Sequence, residues 1–350
     1  MLKKVVGKAT DALLVFKEGL LFNNIINSSM ILLYHRVLNY DSDPQLLAVS
    51  VDNFRDQMQY LKKKYQLITL EQLTKGIIEN RVPNNSVAIT FDDGYVDNYF
   101  FAKPILEELD IPATIFVTTS LIDSEREFWW DEIEQVFLHA DELPDHLDVK
   151  LNGYQISMNI ENSASEKFND WNITINENIS SRKKAYLKFH SILKTLNHTR
   201  RNEVMDFLFN WARKERRCRK FYRTMSSKEI VDTSKGGLIE IGAHTDHHSA
   251  LSFLSKEHQK VEILTSKIKL EEIIDLQVKT FAYPFGSHYD YNKSSVTAVK
   301  ESGFSSSYSN FPLKISRRSD IFQQTRFLIR DWNCEDFAIK MKKYSHGLWN

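Results

Sequence analysis

The chain has 350 residues, 42% hydrophobic and 26% charged, an ordinary globular balance that excludes a disordered or collagen-like polymer. Its 46 basic and 46 acidic side chains cancel, so no global field selects for nucleic acid or another polyanion. The two cysteines, Cys218 and Cys334, supply neither a disulfide framework nor a paired metal-thiolate motif, and they fit a reducing compartment.

Residues 1–30 read as an N-terminal helical segment. The longest unbroken apolar run there, Ala12 to Phe16, is too short for a signal-peptide core or a bilayer span, so a cytoplasmic address is expected. The positive start, with Val5, Val6, Leu13, Phe16 and Leu20, also suits a helix lying on the inner membrane face, whereas packing on its own domain is the simpler use.

From Ile31 short apolar runs alternate with helical periods, as in strands joined by crossover helices. "ILLYH" reads as a buried strand, followed by a helix with Phe54, Met58 and Leu61 on one face and Asp52 as its N-cap. Thr69 and Gln72 make a capping box for a short helix through Leu73 and Ile77. Residues 87–91 form the next strand, "YFFAKPILEEL" a helix with Pro104 near its start, and "ATIFVTT" another strand.

The rhythm breaks over residues 121–235, where a mainly helical insertion is expected. Its opening "FWWDEIEQVF" places two tryptophans ahead of an amphipathic helix, read as packing. The run "RKERRCRKFYR", 213–223, reads as a solvated helix face, with contact to a phosphate-bearing or lipid-linked sugar, or to an anionic membrane, as the functional alternative. Alternation returns with "GLIEIGAHT" (strand), "SKEHQKVEILTSKIKLEEII" (helix), "KTFAYPFG" (strand), "SSVTAVKESGF" (helix) and "SSSYS" (short strand). Residues 31–120 and 236–350 are thus expected to form two parts of one α/β body, carrying 121–235 between them.

Four polar groups stand just past the C-terminal ends of four strands. They are Tyr34-His35-Arg36, Asp92-Asp93, His244 with His247 and His248, and Tyr283-Pro284-Phe285. In a parallel α/β barrel those ends share one rim, where active sites are built. Adjacent carboxylates repel unless a cation or a shared proton lies between them. Two neutral imidazoles and one carboxylate supply a three-ligand face open to water and substrate, suiting zinc or another divalent transition metal. One aspartate would then bind the cation while the other takes a proton from water.

"TFDDGY", "HTDHHSAL" and "FAYPFG", in that order, resemble the first three motifs of the polysaccharide deacetylases, carbohydrate esterase family 4. The resemblance covers residues 31–120 and about 236–332. It implies a distorted (β/α) barrel of the NodB-homology type and metal-dependent hydrolysis of N-acetyl, sometimes O-acetyl, groups on sugars. It further implies Asp92 as general base and Asp93, His244 and His248 as metal ligands, with His247 an extra neighbour competing with His248. The backbone N–H of Phe285 would hold the oxyanion, Pro284 would shape the pocket wall, and Tyr95 and Tyr283 would contact substrate. Two departures stand out. Ala282 occupies the place of the arginine that orients the base, and no late Leu-x-His acid is present, since His346 lies in the poor strand end "KYSHGLWN".

"LLYHRV" resembles the start of a permuted branch, which includes deacetylases of β-1,6-linked N-acetylglucosamine polymers and whose first strand supplies the acid. That implies His35 as the group protonating the departing amine. "RFLIRDW" offers Arg326 or Arg330 in place of the missing arginine, and Arg330 and Trp332 as sugar contacts. The expected cofactor is one divalent metal, zinc first. The expected partner is an N-acetylated sugar, oligosaccharide or lipid-linked glycan, and not nucleic acid. A catalytically impaired sugar-binding relative and another metal-dependent barrel hydrolase are the alternatives.

Overall fold

The computed structural model describes residues 29–151, 154–162, 168, 171–177 and 179–348. The expected N-terminal helical segment lies outside these residues, except that Ser29 and Met30 begin the first strand. The first barrel part contains β1 (Ser29–Tyr34), β2 (Arg36–Val37), β3 (Ala48–Val49), α1 (Val51–Lys64), β4 (Gln66–Leu67), α2 (Leu70–Ile78), β5 (Ser86–Phe91), α3 (Lys103–Glu108) and β6 (Ala113–Val117). The inserted region holds α4 (Trp129–Phe137), β7 (His146–Leu151), β8 (Tyr154–Asn159), α5 (Ser181–Leu193), α6 (His198–Trp211) and α7 (Ser227–Ser234). The chain then returns through β9 (Ile239–Ala243), α8 (Lys256–Ile274), β10 (Thr280–Ala282), α9 (Lys293–Glu301), β11 (Ser306–Tyr308), β12 (Phe327–Leu328) and α10 (Cys334–Ser345).

The strands β11-β10-β9-β6-β5-β1-β12 pair in that order, all parallel, with β4 added beside β5. Every residue of β1, β5 and β6 is buried, which is why their sequences are largely apolar and do not alternate with charged residues. The sheet curls until one segment reaches both edges. The Gln324 N–H donates to Ser307 O and the Gln324 carbonyl accepts the Ser309 N–H, while Phe327 and Leu328 pair with Leu32 and Leu33 of β1. Gly242 lets β9 sit close, because a Cβ there would run into the Phe116 ring and Thr280 Oγ1. Register sets Tyr34 beside Phe91 and Val117 beside Ala243, so the following residues His35, Asp92 and His244 emerge on one rim.

α1 lays Phe54, Met58 and Leu61 onto the sheet as expected, but its N-cap is Ser50 and Asp52 sits in the first turn. Ser50 is held by Asp331, which accepts its N–H and its hydroxyl. The Thr69–Gln72 capping box is formed.

The insertion carries two strands besides the expected helices. β7 and β8 form an antiparallel hairpin whose alternate residues Leu147, Val149 and Ile156 are buried, a period-two signal short enough to be overlooked between polar stretches. With Ile133, Phe137, Tyr186, Phe189 and Leu208 these residues make a hydrophobic cluster separate from the one beneath the sheet. The basic run 213–223 is irregular, not a helix face. Its arginines fasten the insertion through carboxylates: Arg216 to Glu132 and Asp206, Arg219 to Glu127, and Arg223 to Glu229. No helix among the described residues is long and apolar enough to cross a membrane.

Candidate active site

Asp92 and Asp93 leave β5 in a tight turn. Asp92 keeps strand geometry, its N–H donating to Tyr34 O at 3.0 Å. Asp93 and Gly94 then take φ of 74° and 76°, which swings the second carboxylate away from the first. The same left-handed backbone recurs at Thr245 (64°), His248 (50°) and Phe285 (60°). Non-glycine residues held there cost energy, and such strain concentrates where side chains must be aimed.

Arg326 grips Asp92 with two parallel bonds, Nη1 to Oδ1 and Nη2 to Oδ2, both 2.7 Å. Its Nε donates to Ser309 O at 2.9 Å, so the fork is fixed from behind. Burial pushes the Asp92 carboxyl upward, but Arg326, helped by His244 and His35, outweighs it and holds the pKa at about 2.

Asp93 is in the opposite condition. Burial raises its pKa, with His35 and His244 pulling the other way. Its Oδ1 lies 3.2 Å from His248 Nε2 and 3.6 Å from His244 Nε2. Buried, this oxygen has no hydrogen bond among the described residues. His244 Nδ1 is 2.8 Å from Ala282 O, which makes Nδ1 the donor and leaves the Nε2 lone pair facing Asp93. Burial depresses His244 to about 4, and burial with the nearby Arg201 depresses His248 to about 3, so both imidazoles are neutral at neutral pH. The ligand atoms of Asp93, His244 and His248 all lie within 4.8 Å of one another. Two neutral nitrogens around an unpartnered carboxylate oxygen are a donor set that fits a borderline divalent cation such as zinc. A structural salt-bridge reading does not account for that oxygen, because neutral imidazoles offer it no charge.

A cleft of about 110 Å³ lies over these groups. His35, Asp92, Asp93, His244, His248 and Phe285 line it, joined by Gln45, Leu47, Trp130, His190 and Asn310. His35 is half-buried, its pKa lowered by burial against the pull of the aspartates, and its Nδ1 has no hydrogen bond among the described residues. The Phe285 ring packs edge-on to His248, centroids 4.7 Å apart.

Several expected site residues lie elsewhere. Tyr95 is fully buried, donating its hydroxyl to Asp131 Oδ2 at 2.7 Å with its ring 3.9 Å from the Arg36 guanidinium, so it cannot touch a ligand in the cleft. Tyr283 is likewise internal, stacked on Tyr291 at 4.0 Å and bonded through its hydroxyl to Phe322 O. Pro284 is buried behind the wall, its carbonyl accepting the Gly286 N–H at 2.6 Å and so closing the turn that presents Phe285. Arg330 donates to the carbonyls of Gln45 and Leu46, bracing the loop that carries Gln45 and Leu47. Trp332 lies beyond the cleft, its carbonyl accepting from Gln57 and its ring 5.4 Å from Lys340 Nζ. Of the two candidate arginines, therefore, Arg326 is the partner of Asp92. His247 turns away, its Nδ1 2.9 Å from Glu262 Oε1 and its ring 3.9 Å from that of His198, so His248 is the histidine beside Asp93. His346 caps the end of α10.

Trp130, read above as packing, does both jobs. It stacks on Phe128 at 4.4 Å and donates Nε1 to Tyr95 Oη at 2.7 Å, yet its edge reaches the His248 ring at 4.6 Å. Gln45, Leu47, His190 and Asn310 carry no local signal, since only the barrel closure and the docked insertion bring them here.

The polysaccharide deacetylase family profile matches residues 79–146 and 188–306, more than half of the chain. YxkH of Bacillus subtilis is 30% identical over 127 residues, 35% of this chain and 44% of that protein. The poly-beta-1,6-N-acetyl-D-glucosamine N-deacetylase of Staphylococcus epidermidis is 32% identical over 111 residues, 28% of this chain and 38% of that enzyme. The chain thus spans less than half the length of these curated relatives. Two solved structures share the fold: the Streptococcus pyogenes deacetylase PplD in complex with acetate and IcaB from Ammonifex degensii. The first has a TM-score of 0.56 at 17% identity, covering 90% of this chain and 98% of that one. The second has a TM-score of 0.56 at 16% identity, covering 91% and 97%. The half-barrel of parallel strands, the order of its motifs and the profile agree: this chain belongs to the polysaccharide deacetylase family.

Proposed function

We propose that the protein removes acetyl groups from the nitrogen of an amino-sugar residue in a glycan, with one divalent metal ion, zinc, held by Asp93, His244 and His248. The observation that carries this reading is the buried, unpartnered Asp93 Oδ1 facing two neutral imidazoles, next to a second carboxylate kept ionised by Arg326. The ion supplies Lewis acidity toward an acyl carbonyl and, for zinc, acidifies water to a pKa of about 7. Asp92 accepts the proton of the attacking water. A carboxylate held at about 2 is a weak base, so Arg326 contributes orientation and permanent ionisation more than basicity. The Phe285 N–H, presented by its left-handed turn, donates to the oxyanion of the tetrahedral intermediate. His35 protonates the departing amine. Burial makes its imidazolium a stronger acid than free histidine, which favours giving the proton up. A β-1,6-linked N-acetylglucosamine polymer is the substrate we favour, supported by the activity for which the staphylococcal relative is named.

Metal content and acetate release should be measured on wild type beside His244→Ala, with N-acetylglucosamine oligomers and UDP-N-acetylglucosamine as substrates. About one metal per chain in wild type, lost in the variant together with acetate release, is the expected result. No metal bound under zinc-replete conditions would overturn the reading.

A further inference from the structure

The turn that presents Phe285 is tied to the insertion by a lysine as well as by apolar packing of the Phe285 ring, and this polar link is absent from the motifs. Lys194 caps the C-terminus of α5. Its Nζ lies 2.6 Å from Asp290 Oδ1 and 4.2 Å from the centroid of the Phe285 ring. Asp290 is 2% exposed, and its other oxygen accepts the Ser287 N–H at 3.1 Å and the Ser287 hydroxyl at 2.5 Å. Between these anchors the chain passes through Phe285 and Gly286 at φ of 60° and 66°. A Cβ at Gly286 would stand 2.6 Å from the Asn310 N, so the turn has no room to relax sideways.

We propose that Lys194 is a positioning residue for the reaction: from the insertion it fixes Asp290, and through Asp290 and the Phe285 ring it holds the Phe285 N–H on the site of the developing oxyanion. This rests on the deacetylase reading given above. A half-buried ammonium facing a buried carboxylate is a strong, directional tie, because the carboxylate has no water to exchange it for. The same ammonium over the Phe285 ring, which itself packs on His248, couples that tie to the aromatic wall. The lysine that ends α5 thus meets the barrel at the turn that carries Phe285, and at a carboxylate bonded into that turn.

The test uses full-length protein with Lys194→Met, which keeps the stem and removes the charge, Asp290→Asn, the double variant and Lys194→Arg. Metal content should stay at the wild-type value and each variant should remain folded at the assay temperature, with Lys194→Met, which strips Asp290 of its counter-charge, melting below wild type. We expect kcat to fall about tenfold in Lys194→Met with KM within twofold, the same fall in the double variant as in either single one, and recovery to within threefold in Lys194→Arg. The Ser287 amide should exchange at least tenfold faster in Lys194→Met than in wild type, a readout independent of turnover. A kcat within twofold of wild type with unchanged exchange would overturn the proposal, as would a fall that tracks metal loss or unfolding at the assay temperature. Wild-type protein without acetate release but with the exchange difference would remove the deacetylase reading and leave the tie itself intact.

Discussion

Glu127 and Asp93 are both buried carboxylates, 3% and 2% exposed, one in the insertion and one at the barrel rim. Glu127 receives the full fork of Arg219, with Nη2 at 2.8 Å, and the Arg219 N–H besides. Glu132 is answered in the same way by Arg126 and Arg216, and Asp97 by Arg36. Asp93 is given two neutral rings. A buried carboxylate without a counter-charge costs several kcal/mol, and the fold avoids that cost throughout the insertion. A basic side chain of the chain itself answers these buried acids, arginine for Glu127, Glu132 and Asp97 and lysine for Asp290. Asp93 faces neutral rings instead, and under the proposed reading a cation takes the place of that partner.

Four substitutions can break or sharpen that contrast. The largest effect belongs to Asp93→Asn, which should abolish metal binding and take acetate release to background while leaving urea stability of the metal-free protein unchanged or higher. A lowered stability of the metal-free variant would mean that Asp93 is an internal ion-pair partner after all.

Arg326→Met comes next, because it leaves Asp92 buried and alone. We expect a loss of roughly 3–5 kcal/mol at pH 7 together with a fall in kcat. The sign with pH follows from the native pKa. Held at about 2 against an ordinary 3.8, Asp92 contributes about 2 kcal/mol that is complete above pH 4 and lost as pH falls toward 2. Without Arg326 burial alone acts and raises the pKa, so the gap between wild type and variant should be widest at neutral pH and narrow below pH 4. Parallel stability curves from pH 3 to 7 would contradict this.

Glu127→Gln should do the converse of Asp93→Asn, costing about 2 kcal/mol while keeping metal and kcat. That is less than the roughly 3–5 kcal/mol of a fully buried pair, since Arg219 stays 28% exposed. The smallest effect is expected for Arg55→Ala. Its pair with Glu108 is 37% and 56% exposed, and thermal melting should register a change below about 1 kcal/mol.

β1, β5, β6 and β10 were legible because each is buried along its whole length and therefore spelled largely in apolar residues, and the rim residues because they follow those runs directly. His35, Asp92, Asp93, His244, His248 and Phe285 all line the cleft for that reason. Tyr95 and Tyr283 share the same strand ends but point inward, and sequence adjacency does not tell a side chain facing the cleft from one facing the core. Arg326 and Arg330 were equivalent in "RFLIRDW" until pairing of Phe327 with Leu32 set their positions. The β7–β8 hairpin was hidden by its short period, and Arg216 and Arg219 looked solvated because Glu132 and Glu127, which they meet, stand 84 and 92 residues away in sequence. His190 and Gln45 depend wholly on tertiary docking.

Arg326 stands 234 residues after the aspartate it ionises, on the segment that joins the two edges of the sheet. A chain synthesised from its N-terminus forms β5 and its neighbours long before that arginine exists. Until then the curl stays open and Asp92 has no counter-charge, so the protonated carboxyl is the form that burial favours. Closure of the ring and ionisation of Asp92 are consequently one event. A nascent or truncated chain ending before residue 326 can keep most of its parallel sheet and still lack an ionised Asp92, which makes the site silent until the barrel is finished.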